Sequence, residues 1–173
     1  MMLDLQELAN GMPAITPAFG AYLAQAGAVC LDSQGHSQGV PLSVQGSYAH
    51  NLPVHWPNIT NQMLRCLNDP DEATEFGATG IAIMLIKKLI GFVAIQRARK
   101  GPGFDYWLGE DDQLLFQKKA RLEVSGIRKG EASVVKSRVK KKLSQVTPSG
   151  NQGKPAYIVV VEFGQPLAEV RIK

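Results

Sequence analysis

The chain has 173 residues, an apolar fraction of 45%, a charged fraction of 20% and a net charge of +4, which suits one folded domain with a sizeable core. Its longest apolar run, Ile81 to Ile86, is followed by Lys87 and Lys88 and is too short to span a bilayer. No secretory leader is expected, and Cys30 and Cys66, in apolar helical contexts without CxxC spacing, are expected as buried thiols of a cytoplasmic protein.

The small net charge conceals a division. Residues 1–86 hold one Arg and seven acids, a sum of −6. Residues 87–143 hold fifteen Lys/Arg and six acids, a sum of +9, and the remaining tail adds +1. Clustered positive charge of this kind points to a phosphate-rich partner, or else to a solvated helix face.

Residues 1–15 have little periodicity, and Pro13 argues against a continuous helix. Thr16 as N-cap and Pro17 at the first helical position predict a helix through Phe19, Tyr22, Leu23 and Ala26 to about Leu31. Its small residues permit close approach of a neighbouring element. DSQGHSQG (32–39) reads as a turn and Val40 to Gln45 as a strand. Residues 46–58 read as irregular around Pro53 and Pro57, and Thr60 is placed to cap a short helix. His36, His50 and His55 lack a metal-ligand spacing and read as structural or surface residues.

Pro70 and Asp71 open a second long helix, EATEFGATGIAIMLIKKL, ending near Leu89 to Gly91. Glu72 and Glu75 fall in its first turns, where carboxylates suit the helix dipole. Three strands follow: Phe92 to Arg99, Phe104 to Leu108 after the Gly101–Gly103 turn, and a long third from Leu114 to Ile127. A basic helix then carries an apolar stripe of Ala132, Val135, Val139 and Leu143, with Lys136, Arg138, Lys140, Lys141 and Lys142 around it. Residues 147–155 read as a loop, Tyr157 to Phe163 as a buried strand, and Leu167 to Ile172 as a last edge strand after Pro166.

From residue 70 the order is therefore helix, three strands, helix, strand. The three strands can meander antiparallel, and the basic helix can cross over to a parallel fourth. The fold class expected is α/β of the α+β type, a mixed central sheet flanked by helices, in a single domain with 1–69 as an extension and 70–173 as the core. Asp105 and Glu123 lie eighteen residues apart, each within an apolar strand segment. Either both point outward, or both sit on an inward face and need a partner or a metal. Arg121 is one local partner for Glu123. Adjacent strands lie about 4.8 Å apart, so two carboxylates on one face can share a divalent cation. Glu75 is placed to add a third oxygen.

In this order of elements, in the GFD of Gly103-Phe104-Asp105 and in the EVS of Glu123-Val124-Ser125, the chain resembles the PD-(D/E)XK, or restriction endonuclease-like, superfamily over about residues 70–165. The resemblance implies metal-dependent phosphodiester hydrolysis in DNA or RNA, with Mg²⁺ on Asp105, Glu123 and Glu75 (Glu72 matching less well). Position 104 is Phe rather than Pro, which the family tolerates. The pattern also calls for Lys two positions after the second acid, and this chain has Ser125. Lys136 or Lys119 is expected to replace it. Lys118, Lys119, Arg121, Lys136 and Lys140 would hold the nucleic-acid backbone, with steep salt dependence and little sequence specificity. Tyr106 and Trp107 read either as stacking platforms for unpaired bases or as core aromatics. The competing expectation is a non-catalytic nucleic-acid-binding or regulatory module of the same fold, as a homodimer or with a partner protein. An unrelated α+β domain with both acids on its surface is the third.

Overall fold

A computed structural model describes residues 1–101, 103–111, 116–146 and 153–173. The chain begins with β1 (Leu3–Asp4), a 3₁₀ turn (Leu5–Asn10) and α1 (Pro17–Ser33), then β2 (Val40–Gly46), β3 (His50–His55) and α2 (Asn61–Cys66). It continues through α3 (Pro70–Ile90), β4 (Val93–Arg97), β5 (Tyr106–Gly109), β6 (Ala120–Ile127), α4 (Ala132–Gln145), β7 (Ala156–Glu162) and β8 (Leu167–Ile172). The described strands form one mixed sheet in the order β1-β3-β2-β8-β7-β6-β5-β4.

Local signals account for the helices. The hydroxyl of Thr16 accepts the Phe19 N–H, that of Thr60 accepts the Met63 N–H, and the carboxylate of Asp69 accepts the N–H groups of Asp71 and Glu72. Gly91, with φ +75°, ends α3 in the left-handed conformation. Helices α1 and α3 pack closely: a Cβ on Gly77 would lie 3.1 Å from the Ala26 carbonyl and the Gly27 Cα. Together they cover one face of the sheet over a core that includes Leu23, Ile81, Leu85, Leu122 and Val159.

Helix α4 covers part of the other face. Val135 and Val139 are buried against Ile127, Ile158 and Val160, with Leu143 half-buried beside them, while Ala132 is exposed. Every residue of β7 is buried, because α3 closes one side and α4 the other. Strand β6 is antiparallel to β5 and parallel to β7, with α4 as the crossover, and β4 is antiparallel to β5. The meander and crossover expected from the order of elements are therefore present.

Several boundaries differ from expectation. Residues 46–58 are not all irregular, since β3 pairs antiparallel with β2. Pro53 faces Pro41 across that pair. Each lies outside the stretch paired to its outer neighbour, β1 or β8, so no ladder bond to those strands is lost. The last strand is not an edge: β8 lies between β7 and β2, because β2 returns from the N-terminal part to pair with it in parallel. The segment 1–69 is thus an extension of the same sheet, with α1 as part of the same core. The third strand of the meander begins at Ala120 rather than at 114, which lies outside the described residues. Phe116, Gln117 and Lys118 are exposed and offer the sheet no buried face. Cys30 is buried and burial pushes its thiol up to about 11, but Cys66 is exposed at the end of the short α2.

Candidate active site

Strand alternation decides where the two acids point. On β6, Ala120, Leu122 and Val124 belong to the main core on the α3 side, which sends Arg121, Glu123, Ser125 and Ile127 to the α4 side. On β5, Tyr106 and Leu108 belong to the main core, so Asp105 and Trp107 share that opposite face. The ladder pairs Tyr106 with Leu122 and Trp107 with Arg121, and Asp105, one residue before it, lies close enough to Glu123 for its charge to raise that carboxyl. Asp105 itself precedes β5 but stays tied into the sheet: its N–H donates to the Leu122 carbonyl and its carbonyl accepts from Ala98, both at 2.8 Å. Its carboxylate Oδ2 accepts the Val124 N–H at 2.8 Å.

Glu123 is buried, with 5% of its surface exposed, so its charge needs compensation. It comes from α4: the Lys142 ammonium donates to Glu123 Oε1 at 2.5 Å. Burial, and after it the negative charge of Asp105, push the Glu123 carboxyl up to about 7, although Lys142 pulls it down. Two carboxylates this close resist being ionised together.

The pair stands between two openings. A cleft of about 660 Å³ is lined by Asp105, Ser125, Arg138 and Lys142, with Asp71, Thr74 and Glu75 from the start of α3 and Arg128 and Lys129 after β6. A second, of about 340 Å³, is lined by Asp105, Glu123, Arg97, Arg99, Lys100 and Phe104. Gly126 permits the first cleft its shape, since a Cβ there would lie 2.5 Å from the Thr74 carbonyl oxygen. That contact brings the N-terminal turns of α3, and with them Glu75, to the end of β6. Ser125 Oγ accepts from Arg138 Nη1 at 2.7 Å, and Arg138 also donates to the Gly126 carbonyl at 3.3 Å.

The structure thus brings Asp105, Glu123 and Ser125 onto one face and places Glu75 in the wall of the adjoining cleft. Among the described residues, no three His, Cys, Asp or Glu side chains close to metal-ligand separation. Glu75 therefore lines the cleft without joining the acidic pair, and Glu72 is exposed outside it. Both expected replacements for the missing lysine lie elsewhere. Lys136 lines a cavity of about 80 Å³ with Gln45, Glu162 and Glu169, and Lys119 is paired with Glu110 at 2.5 Å. Lys140 is exposed on α4 and Lys118 is exposed before β6. Arg121 is buried and donates to the Lys154 carbonyl at 2.8 Å. Tyr106 is a core residue, whereas Trp107 is half-buried.

Lys142 and Arg138 are the two cations of α4 that reach the β6 face, and in sequence they are part of the general positive charge of that helix. Their signal was positional. Arg138 is three residues after Val135, and Lys142 is three after Val139, so both flank the apolar stripe and lean toward the sheet.

The donor set suits a hard divalent cation: two carboxylates on facing strands, held close in an environment that raises one of them, are a charge conflict that such a cation relieves. Comparison with known proteins gives no matching family model, no matching curated protein and no matching solved structure.

Proposed function

We propose that the chain is a divergent restriction endonuclease-like protein that hydrolyses phosphodiester bonds of DNA or RNA with Mg²⁺. One observation carries this reading: Asp105 and Glu123 come together on one face of the sheet between two openings, Asp105 lining both and Glu123 the smaller, and Lys142 meets the second acid from a different element. Asp105 and Glu123 are the residues that would hold the ion, with Glu75 on the cleft wall beside them. When bound, Mg²⁺ supplies a Lewis acid for the phosphate and lowers the pKa of a bound water.

The chain's own residues account for the rest. Lys142 supplies the ammonium that the Ser125 position lacks, reaching the acidic pair from α4 instead of from β6. Arg138, Arg128 and Lys129 line the cleft on the side of Ser125, and Arg97, Arg99 and Lys100 line the opening on the other side of Asp105. Cations on both flanks would hold successive backbone phosphates and leave bases unread. Lys119 and Lys136 have other surroundings and take no part in this site.

A non-catalytic binding module of the same fold is the second reading. It is favoured by the engagement of Glu123 by Lys142 and of Ser125 by Arg138, which occupies the two β6 polar side chains nearest Asp105. Cleavage of labelled single-stranded, duplex and branched DNA and of RNA, with Mg²⁺ or Mn²⁺ at low salt, separates the two. Metal-dependent cutting abolished by Asp105→Ala and by Glu123→Ala is the outcome expected of the hydrolase. Binding without cutting would establish the module.

A further inference from the structure

Beside the acidic pair the same sheet face carries a group of side chains that phosphodiester hydrolysis does not use. Trp107, on β5, lies two residues after Asp105 and pairs across the ladder with Arg121. Its indole is half-buried, and the Phe104 ring props it edge-on with centroids 4.7 Å apart. The Lys118 ammonium stands 4.8 Å from the indole centroid and the Lys154 ammonium 6.0 Å, while the Arg121 guanidinium is 5.9 Å from the Phe104 centroid. Among the described residues neither Lys118 nor Lys154 is in an ion pair, although the adjacent Lys119 is paired with Glu110.

Two ammonium groups that, among the described residues, meet a ring face and no carboxylate are available to an anion, and the ring they cover is available to another π-system once they swing onto it. A phosphate joined to an unpaired base offers both at the same spacing. A duplex offers the phosphates, but its bases are already stacked on their neighbours. We infer that Trp107, with Lys118 and Lys154, is a stacking platform for an unpaired nucleotide flanking the bond at the acidic pair, so that the preferred substrate is single-stranded or has a single-stranded segment. This rests on the phosphodiester reading of Asp105 and Glu123 for the direction of the strand, but the platform can be measured without cleavage.

The test is a fluorescence titration of the full chain with oligo(dT) in EDTA at low salt, beside a duplex of equal phosphate number. Trp56 is buried at 5% exposure, so Trp107 is the indole that a bound strand can reach. Oligo(dT) is expected to quench the emission and the duplex to leave it unchanged. Trp107→Leu should weaken oligo(dT) binding by about 5- to 100-fold and remove the quenching, while Trp107→Phe should retain most of the affinity. If Trp107→Leu does not fold, the wild-type quenching and the Lys118→Gln/Lys154→Gln double variant, expected to bind oligo(dT) more weakly than wild type, decide the matter. Equal quenching by duplex, no binding of oligo(dT), or full affinity in the Leu or double-Gln variant would overturn the platform. Metal-dependent cleavage that ignores Trp107 would remove the platform and leave the hydrolase. Trp107-dependent binding with no cleavage of any substrate would remove the hydrolase and leave the platform.

Discussion

Lys142, on the last turn of α4, donates its ammonium to the carboxylate of Glu123 in the middle of β6. The two residues are nineteen apart in the chain, and Lys142 pulls down a Glu123 carboxyl that burial and Asp105 push up. The Lys142 side chain keeps 22% of its surface exposed and that of Glu123 only 7%, so the acid is the member that cannot be left alone.

Lys142→Met removes the counter-charge while keeping the stem that packs beside the stripe. It should cost about 2 kcal/mol, because it leaves a buried acceptor without its donor. Lys142→Met in a Glu123→Gln background should cost less, since no charge is left unpaired. Urea unfolding of the two single variants and the double variant measures the coupling, and additive losses would show that the pair does not interact in solution.

The Glu123 carboxyl, raised from 4.5 to about 7 in the folded chain, binds its proton more tightly there than when unfolded. Its contribution to stability is thus complete below pH 4.5 and is lost as the pH rises through about 7. Thermal melts of wild type against Glu123→Gln should therefore diverge between these pH values, wild type losing Tm relative to the variant. Mg²⁺ favours the ionised pair, so its stabilisation of wild type should grow as the pH rises through 7. A Tm gain from Mg²⁺ that is the same at pH 5 and pH 8, or that persists in Asp105→Asn, would place the ion elsewhere.

What could be read in the sequence was what short-range pattern determines. Helix α3 announces itself by its proline, its acids and its terminal glycine, α4 by Val135 and Val139, and β7 by an unbroken apolar run. The alternation around Leu122 and Tyr106 was enough to make Asp105 and Glu123 a pair to watch. The rest depended on long-range partners. β3 contains Pro53, and only the register of the sheet, which leaves Pro53 outside the stretch paired with β1, shows that the proline is harmless there. β8 is short and follows Pro166, so its central position comes from a strand more than a hundred residues earlier. Lys142 was one of three consecutive lysines, and only the docking of α4 selects it from Lys140 and Lys141. Cys66 had an apolar context in sequence, but its short helix leaves it at the surface.

Gly126 tests how the cleft is shaped. A methyl group there would lie 2.5 Å from the Thr74 carbonyl oxygen and 2.8 Å from Thr74 Cγ2, so α3 or β6 must shift. Gly126→Ala should destabilise by about 1–3 kcal/mol and displace Glu75 from the cleft wall, lowering cleavage as well as the unfolding midpoint. Unchanged stability would mean that the two elements have more freedom to separate than this contact implies.

Ser125 and Lys142 give the sharpest test of how the site is built. Ser125→Lys alone, which writes in the lysine that the restriction endonuclease-like pattern carries, would put a third cation beside Arg138 and Lys142, and like charges at that separation repel. The single variant should be less stable than wild type and should gain no cleavage. If Lys142 does the work of the absent lysine, Lys142→Met should abolish cleavage, and adding Ser125→Lys to it should recover part of the rate and of the stability, because one ammonium again faces Glu123. Cleavage rates and urea midpoints of the four proteins give both readouts. Recovery of stability without recovery of rate would mean that the ammonium serves only to neutralise Glu123. A Lys142→Met variant that cuts as fast as wild type would show that the chemistry draws its positive charge from another residue.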